Sequence, residues 1–200
     1  MYEPNTEQLT PPLNNFFKEL LKFFLIALII VLPIRFFIAQ PFIVQGASMA
    51  PTFSSGDYLI VDQLSYRFEE PERGAVIIFR YPKDPREYFI KRIIGLPNET
   101  IRIDHNTITI INADFPEGMV LDDDYITFSE NMTSLEMHLG NEEYFVLGDN
   151  RPASSDSRIW GILPKDNITG RALMRLFPFS KINYLPGIHT YTHTADSNSP

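Results

Sequence analysis

The sequence predicts a mainly β domain, a sheet assembly or partly closed barrel, preceded by one N-terminal transmembrane helix. Three observations carry that prediction. Residues 20–39 form a long apolar run interrupted only by Lys22 and Arg35. From Tyr58 onward, short β-rich runs alternate with Pro, Gly and Asn turns. No long helical periodicity follows the apolar run.

The elements follow in order. Residues 1–15 are polar, contain a Pro pair and read as a disordered cytoplasmic tail. Residues 16–39 read as the span. Residues 23–34 carry no charge, and a span needs roughly 20 mostly apolar residues, with Lys22 and Arg35 snorkelling to the two interfaces. Pro33 can kink such a helix without preventing it from crossing. A buried core helix and a cleaved signal peptide are the competing readings. The long mixed-charge N-terminal region and the lack of a clean small-residue cleavage site after Ile34 oppose the second. Lys18 and Lys22 on one side against Arg35 on the other favour a cytoplasmic N-terminus, which leaves residues 40–186 as an outer β domain.

Within that domain, residues 58–62, 74–79 and 88–94 read as strands, and 100–104 with 107–111 as a hairpin. Residues 113–142 look less regular and more acidic. Asp122, Asp123 and Asp124 lack the spaced ligands and glycine of a calcium loop, so they read as a solvated surface. Residues 143–147 and 171–176 read as further strands. Residues 187–200 read as a disordered tail, with His189 and His193 as bystanders.

Composition excludes several functions. A net charge of −8 without a basic tract argues against nucleic acid as a partner. The absence of Cys rules out disulfides and thiolate metal sites. With 44% hydrophobic residues, 16 of them Phe, the chain has material for a core.

Two residues are chemically odd for their surroundings. Ser48 lies in Gly46-Ala47-Ser48-Met49-Ala50-Pro51-Thr52, directly after the apolar run. Gly46 permits close approach and Pro51 fixes the chain, so the segment can present a hydroxyl and free backbone N–H groups on one side. Lys91 lies in Tyr88-Phe89-Ile90-Lys91-Arg92-Ile93-Ile94, an otherwise apolar strand. Burial disfavours its ammonium, and a neutral lysine is a competent general base for a serine. Alone, each has a plain alternative: a turn serine, and a surface lysine on an edge strand. A third segment, residues 148–158, is dense in small polar and charged groups that need internal partners. Ser154 can orient a neutral amine there, and Asp156 can pair with Arg158 or with Arg92.

Together these segments resemble type I signal peptidase, the membrane-anchored Ser–Lys peptidase family. Ser48-Met49-Ala50-Pro51-Thr52 is similar to its nucleophile box, Lys91-Arg92-Ile93-Ile94-Gly95-Leu96-Pro97 to its general-base box, and Gly148-Asp149-Asn150-Arg151 through Ser154-Ser155-Asp156-Ser157-Arg158 to its third box. Gly56-Asp57 with residues 58–61, and residues 73–79, match two intervening strands. The resemblance runs over about residues 16–186. It implies Ser48 as nucleophile, Lys91 as general base, Ser154 as the group orienting Lys91, and Asp156, Arg158 and Arg92 as supports. It implies Phe42, Val44, Met49, Phe53, Leu59, Phe89 and Ile90 as walls of shallow pockets for small side chains of an extended signal peptide. Plain core packing is the other reading of these seven. Gly46 stands where some members carry a serine that helps bind the oxyanion, so a second donor must come from elsewhere. The short 104–142 segment implies that the larger members' extra β subdomain is reduced or missing. No cofactor and no metal is implied. The partners implied are preprotein signal peptides and a lipid bilayer, and the location is the bacterial cytoplasmic (inner) membrane. A related Ser–Lys autoprotease of the repressor-cleaving kind, and a membrane-anchored β domain that binds without catalysis, are the alternatives.

Overall fold

The computed structural model of the chain describes residues 13–33, 39–122, 125–126 and 132–191. The chain divides into two compact units, residues 1–38 and 39–200.

The first unit contributes α1, Leu13–Pro33. Its Leu, Phe, Ala and Lys residues are adequate helix formers, and the Pro pair at 11–12 marks where the pattern can begin. The helix therefore starts at residue 13, three residues inside the segment expected to be a disordered tail. Phe23, Phe24, Leu28 and Ile29 are exposed along it. Among the described residues, no helix is long and apolar enough to cross a membrane. The apolar run continues through residues 34–38, which lie outside the described residues, as do residues 1–12.

The second unit is mainly β. Its strands are β1 (Ala39–Ile43), β2 (Tyr58–Asp62), β3 (Val76–Tyr81), β4 (Asp84–Gly95), β5 (Thr100–His105), β6 (Thr107–Ile111), β7 (Met119–Val120), β8 (Met132–His138), β9 (Glu143–Leu147), β10 (Leu163–Pro164), β11 (Ile168–Phe177) and β12 (Asn183–Tyr184). The one further α-helix among the described residues is the short α2, Ser157–Trp160. The main sheet runs β1-β2-β11-β3-β4-β9-β10, with β12 paired to β11. β4 is long because its two halves do different work. Its first half is exposed, and its second half, from Lys91 to Gly95, is buried.

A second, smaller sheet, β7-β6-β5-β8, spans the stretch where the extra β subdomain was expected to be reduced or missing. Ile101 and Ile103 of β5 alternate inward, as do Ile108 and Ile110 of β6. They share a core with Ile94, Leu121, Leu139, Phe145 and Leu147. β8 falls within the stretch read as irregular. Its Leu135 and Met137 pack on that core while Ser134, Glu136 and His138 face outward.

Two further cores belong to the main sheet. One joins Val44, Met49, Phe53, Leu59, Val61, Val76, Ile78 and Ala172. The other joins Ile77, Phe79, Ile93, Tyr144, Val146, Trp160 and Leu163. Consecutive β4 residues therefore serve different cores: Ile93 joins the second of these and Ile94 the core of the smaller sheet.

Candidate active site

Ser48 sits in the turn that links β1 to β2. The turn is fixed at its base by Val44 N–H donating to Asp57 O at 2.9 Å and Gly56 N–H donating to Val44 O at 2.9 Å. Gly46 has φ +86°, a left-handed conformation that a side chain would resist. Met49 and Phe53 anchor the turn from below, at 1% and 0% exposure. Ser48 itself is half-buried.

The third polar segment grips this turn from the other side. Asn150 N–H donates to Ser48 O at 3.0 Å, and Asn150 Nδ2 donates to Ala47 O at 3.1 Å. Thr52 Oγ1 donates to Asp149 Oδ2 at 2.6 Å. Gly148 has no room for a side chain, because a Cβ there would stand 2.2 Å from Ser154 Oγ and 2.4 Å from Ser48 O. Arg175 adds Nη2 to Thr52 O at 2.9 Å and an ion pair with Asp57 at 3.3 Å. The carbonyls of Ala47, Ser48 and Thr52 are thus all occupied, which holds the turn in one conformation.

Lys91 approaches from β4. Its Nζ is 2.8 Å from Ser48 Oγ and donates to Ile90 O at 2.9 Å. The residue is 3% exposed, and Nζ lies 5.4 Å from the centre of the Phe89 ring. Burial pulls the ammonium down to about 8, against the opposing fields of Asp156 and Asp149. Neither carboxylate neutralises it by contact, since both are committed to arginines. Asp149 takes Arg92 Nε at 2.8 Å and Nη2 at 2.6 Å. Asp156 takes Arg158 Nε at 2.8 Å and Nη2 at 2.9 Å. Asp156 also caps α2 and accepts from Gly148 N–H at 3.1 Å.

Several expectations change here. Of the two pairings open to Asp156, the one with Arg158 forms; Arg92 pairs with Asp149, which sequence reasoning left out of the site. Ser154 is 6% exposed, and its Oγ makes no hydrogen bond among the described residues. It lies against Gly148 rather than on Lys91, whose two partners are Ser48 and Ile90. Phe42, Val44, Leu59, Phe89 and Ile90 line a groove of about 540 Å³ that also includes Ser48 and Lys91. Met49 and Phe53 do not line it; they face the core under the turn, where their volume supports Ser48. Residues 187–191, expected to be part of a loose tail, are packed: His189 N–H donates to Gly74 O at 3.3 Å, and the His189 ring lies 4.3 Å from that of Tyr125. His193 lies outside the described residues. Among the described residues, no group of three or more His, Cys, Asp or Glu is placed to hold a metal ion.

A buried amine in contact with a turn hydroxyl, beside a groove walled partly by apolar side chains, is an arrangement suited to acyl transfer. Residues 17–177 match the family model described as "Signal peptidase, peptidase S26". Probable signal peptidase I-1 of Synechocystis sp. is 36% identical over 84% of this chain and 86% of its own length. Signal peptidase I of Leptolyngbya laminosa is 34% identical over 80% of this chain and 79% of its own. A crystal structure of a signal peptidase I from Enterococcus faecalis is 31% identical, covers 52% of this chain and 97% of that one, and superposes with a TM-score of 0.44. The chain belongs to the signal peptidase, peptidase S26 family, as a type I signal peptidase, a serine hydrolase that acts on the signal peptides of preproteins.

Proposed function

We propose that the chain is a membrane-bound endopeptidase that cuts preproteins after small residues with a Ser48–Lys91 dyad. The observation that carries this reading is the 2.8 Å separation of Lys91 Nζ and Ser48 Oγ around an amine that is 3% exposed. Neutral Lys91 accepts the Ser48 proton as Oγ attacks the scissile carbonyl carbon. The carbonyl electrons move to oxygen, giving a tetrahedral oxyanion. Its donors are backbone N–H groups of the turn, Ser48 N–H first, because Gly46 offers no hydroxyl. On collapse the C–N bond breaks, and the leaving amine takes the proton from Lys91. A water then gives its proton to Lys91 as its oxygen attacks the Ser48 ester. That intermediate releases the signal peptide's new carboxylate and restores the Ser48 hydroxyl.

Asp149, Arg92, Asp156, Arg158 and Asn150 touch no reacting atom in this scheme. They hold the three segments in register. Ser154 packs against Gly148, where it leaves no room for a side chain. The groove walls Phe42, Val44, Leu59, Phe89 and Ile90 receive an extended peptide and leave space for small side chains near the cut. Anchoring rests on the apolar run of residues 20–39, with the N-terminus inside, the domain of residues 40–186 outside, and the bacterial cytoplasmic membrane as the location.

The test is cleavage of a preprotein by purified enzyme in detergent, with the cut site read by mass spectrometry. Ser48→Ala and Lys91→Met are each expected to lose about 10⁴-fold or more in rate, since members of a catalytic unit fail together. Cleavage by either variant near the wild-type rate sinks the dyad. Release of the protein from membranes by alkaline carbonate sinks the anchor.

A further inference from the structure

The residues matched by the family model end at 177, but the chain returns to the site beyond them. After β12 pairs with β11, Leu185 N–H donates to Leu173 O at 2.7 Å, and Leu185 takes φ +46°. Gly187 then lies against the nucleophile turn. Its φ is +77°, and a Cβ there would stand 2.6 Å from Thr52 Cγ2 and 3.0 Å from Phe53 Cε2. Its carbonyl accepts from Arg92 Nη1, which also donates to Gly74 O at 2.8 Å. Next, the His189 backbone crosses Gly74 so closely that a Cβ on Gly74 would be 1.8 Å from His189 O. Tyr191 Oη is 2.7 Å from Tyr125 Oη, and the Tyr125 ring lies 4.6 Å from the Arg92 guanidinium.

These contacts meet at one place. Arg92 follows the proposed base, and its other nitrogens hold Asp149. Asp149 in turn accepts from Thr52, four residues after the proposed nucleophile. Gly187 meets both ends of that path: its carbonyl accepts from Arg92, and it leaves no room for a Cβ beside Thr52. We infer that residues 185–191 form a positioning strap for the dyad, with Gly187 as the positioning residue that clamps Arg92 to Thr52. The inference rests on the reading of Ser48 and Lys91 given above.

The physical case is direct. Arg92 is 1% exposed, and a guanidinium that deep needs an acceptor for its N–H groups. The strap supplies one acceptor and closes the edge of the Arg92–Asp149 pair. Lifting it removes that acceptor and admits water. Asp149 then loosens its hold on Thr52, and the turn carrying Ser48 shifts relative to Lys91. Wetter surroundings also make the lysine easier to charge. A segment that only packed would change stability and nothing else.

The test uses the full chain. In Gly187→Ala the new methyl meets Thr52 Cγ2 and Phe53 Cε2 and alanine must hold φ +77°, so the strap is pushed away from the turn. Thr52→Ser removes the methyl it meets and keeps the hydroxyl that bonds Asp149, so the double variant Gly187→Ala/Thr52→Ser is the rescue. Rates of preprotein cleavage are measured against pH, and folded fraction by thermal melting. Gly187→Ala is expected to lower kcat about tenfold with KM within about twofold, because small misplacements of reacting groups are costly. The acid limb of its rate–pH profile moves up by about half a unit, as Lys91 becomes less desolvated. The double variant recovers part of both. Losses that track the folded fraction with the limb unmoved, or a double variant no better than the single one, overturn the inference. Should Gly187→Ala not fold, His189→Ala, which removes the ring stacked on Tyr125, carries the test; wild-type kcat and an unmoved limb then overturn it. Ser48→Ala separates the two ideas. If it remains active, the dyad itself fails; if it is inactive while folded Gly187→Ala behaves as wild type, only the strap fails.

Discussion

Lys91 and Arg92 are consecutive cations on β4, both almost fully buried, yet their surroundings treat charge in opposite ways. Arg92 has a carboxylate on two of its nitrogens and carbonyls on the third. Lys91 has a hydroxyl and one carbonyl, with no carboxylate in contact. A guanidinium stays charged at any pH the protein meets, so its site must neutralise it. An ammonium can give up its proton, so a site that withholds a counter-ion makes it a base. The strand delivers one side chain for architecture and the next for chemistry. The largest expected effect comes from breaking the arginine side. Asp149→Ala leaves Arg92 buried without its counter-ion and frees Thr52 as well. Destabilisation of roughly 3–5 kcal/mol is expected by denaturant titration. A loss below about 1 kcal/mol, the range of exposed pairs, would show that Arg92 is solvated after all.

The lysine side responds with the opposite sign. Folding lowers its pKa from 10.5 to about 8. Below about pH 8 both folded and unfolded chains hold the proton, and the folded state carries the full cost of burying it. That cost shrinks as pH rises from about 8 toward 10.5, where the unfolded chain still binds the proton and the folded one does not. Lys91→Met is therefore expected to raise stability at pH 7 by up to about 3 kcal/mol, while abolishing cleavage. The advantage narrows as pH rises through that window. A melting-temperature gap that is absent, or constant across the window, would show that Lys91 sits in its site without penalty.

How far these features were legible depended on the range of the interaction. Local alternation and turn residues gave β2, β5, β6 and β9 to within a residue or so, because each is a short run bounded by its own punctuation. Lys91 stood out because a charge in an apolar run is anomalous wherever the strand goes. β8 did not stand out: Thr, Ser, Glu and His break up its run, and only the packing of Leu135 and Met137 reveals the inward face. The pairing of Arg92 with Asp149 spans 57 residues, and the sequence pointed to Asp156 as the carboxylate open to Arg92. Residues 187–191 of the strap read as tail because much of their hold is through the Gly187 carbonyl and the Gly74 backbone, groups every residue owns. The one available sign was a glycine followed closely by His189 and Tyr191 where a loose end needs no aromatic side chains.

The smallest expected effect isolates burial as the variable in this comparison. Arg102 and Glu136 face each other across β5 and β8, with Nε 2.8 Å from Oε2, close to the 2.6 Å of Arg92 and Asp149. Their side chains are 51% and 58% exposed, against 2% and 1% for the buried pair. Equal geometry in water gains little Coulomb energy, and ordering two long side chains costs entropy. Glu136→Gln is expected to change stability by less than about 1 kcal/mol, with the difference fading as salt rises. Asp149→Ala measured in the same titrations should keep most of its penalty in high salt, because ions do not reach that pair. If the two variants instead lost stability by similar amounts with similar salt dependence, contact distance would set the worth of these pairs. Burial would then not explain why Arg92 needs a carboxylate and Lys91 does without one.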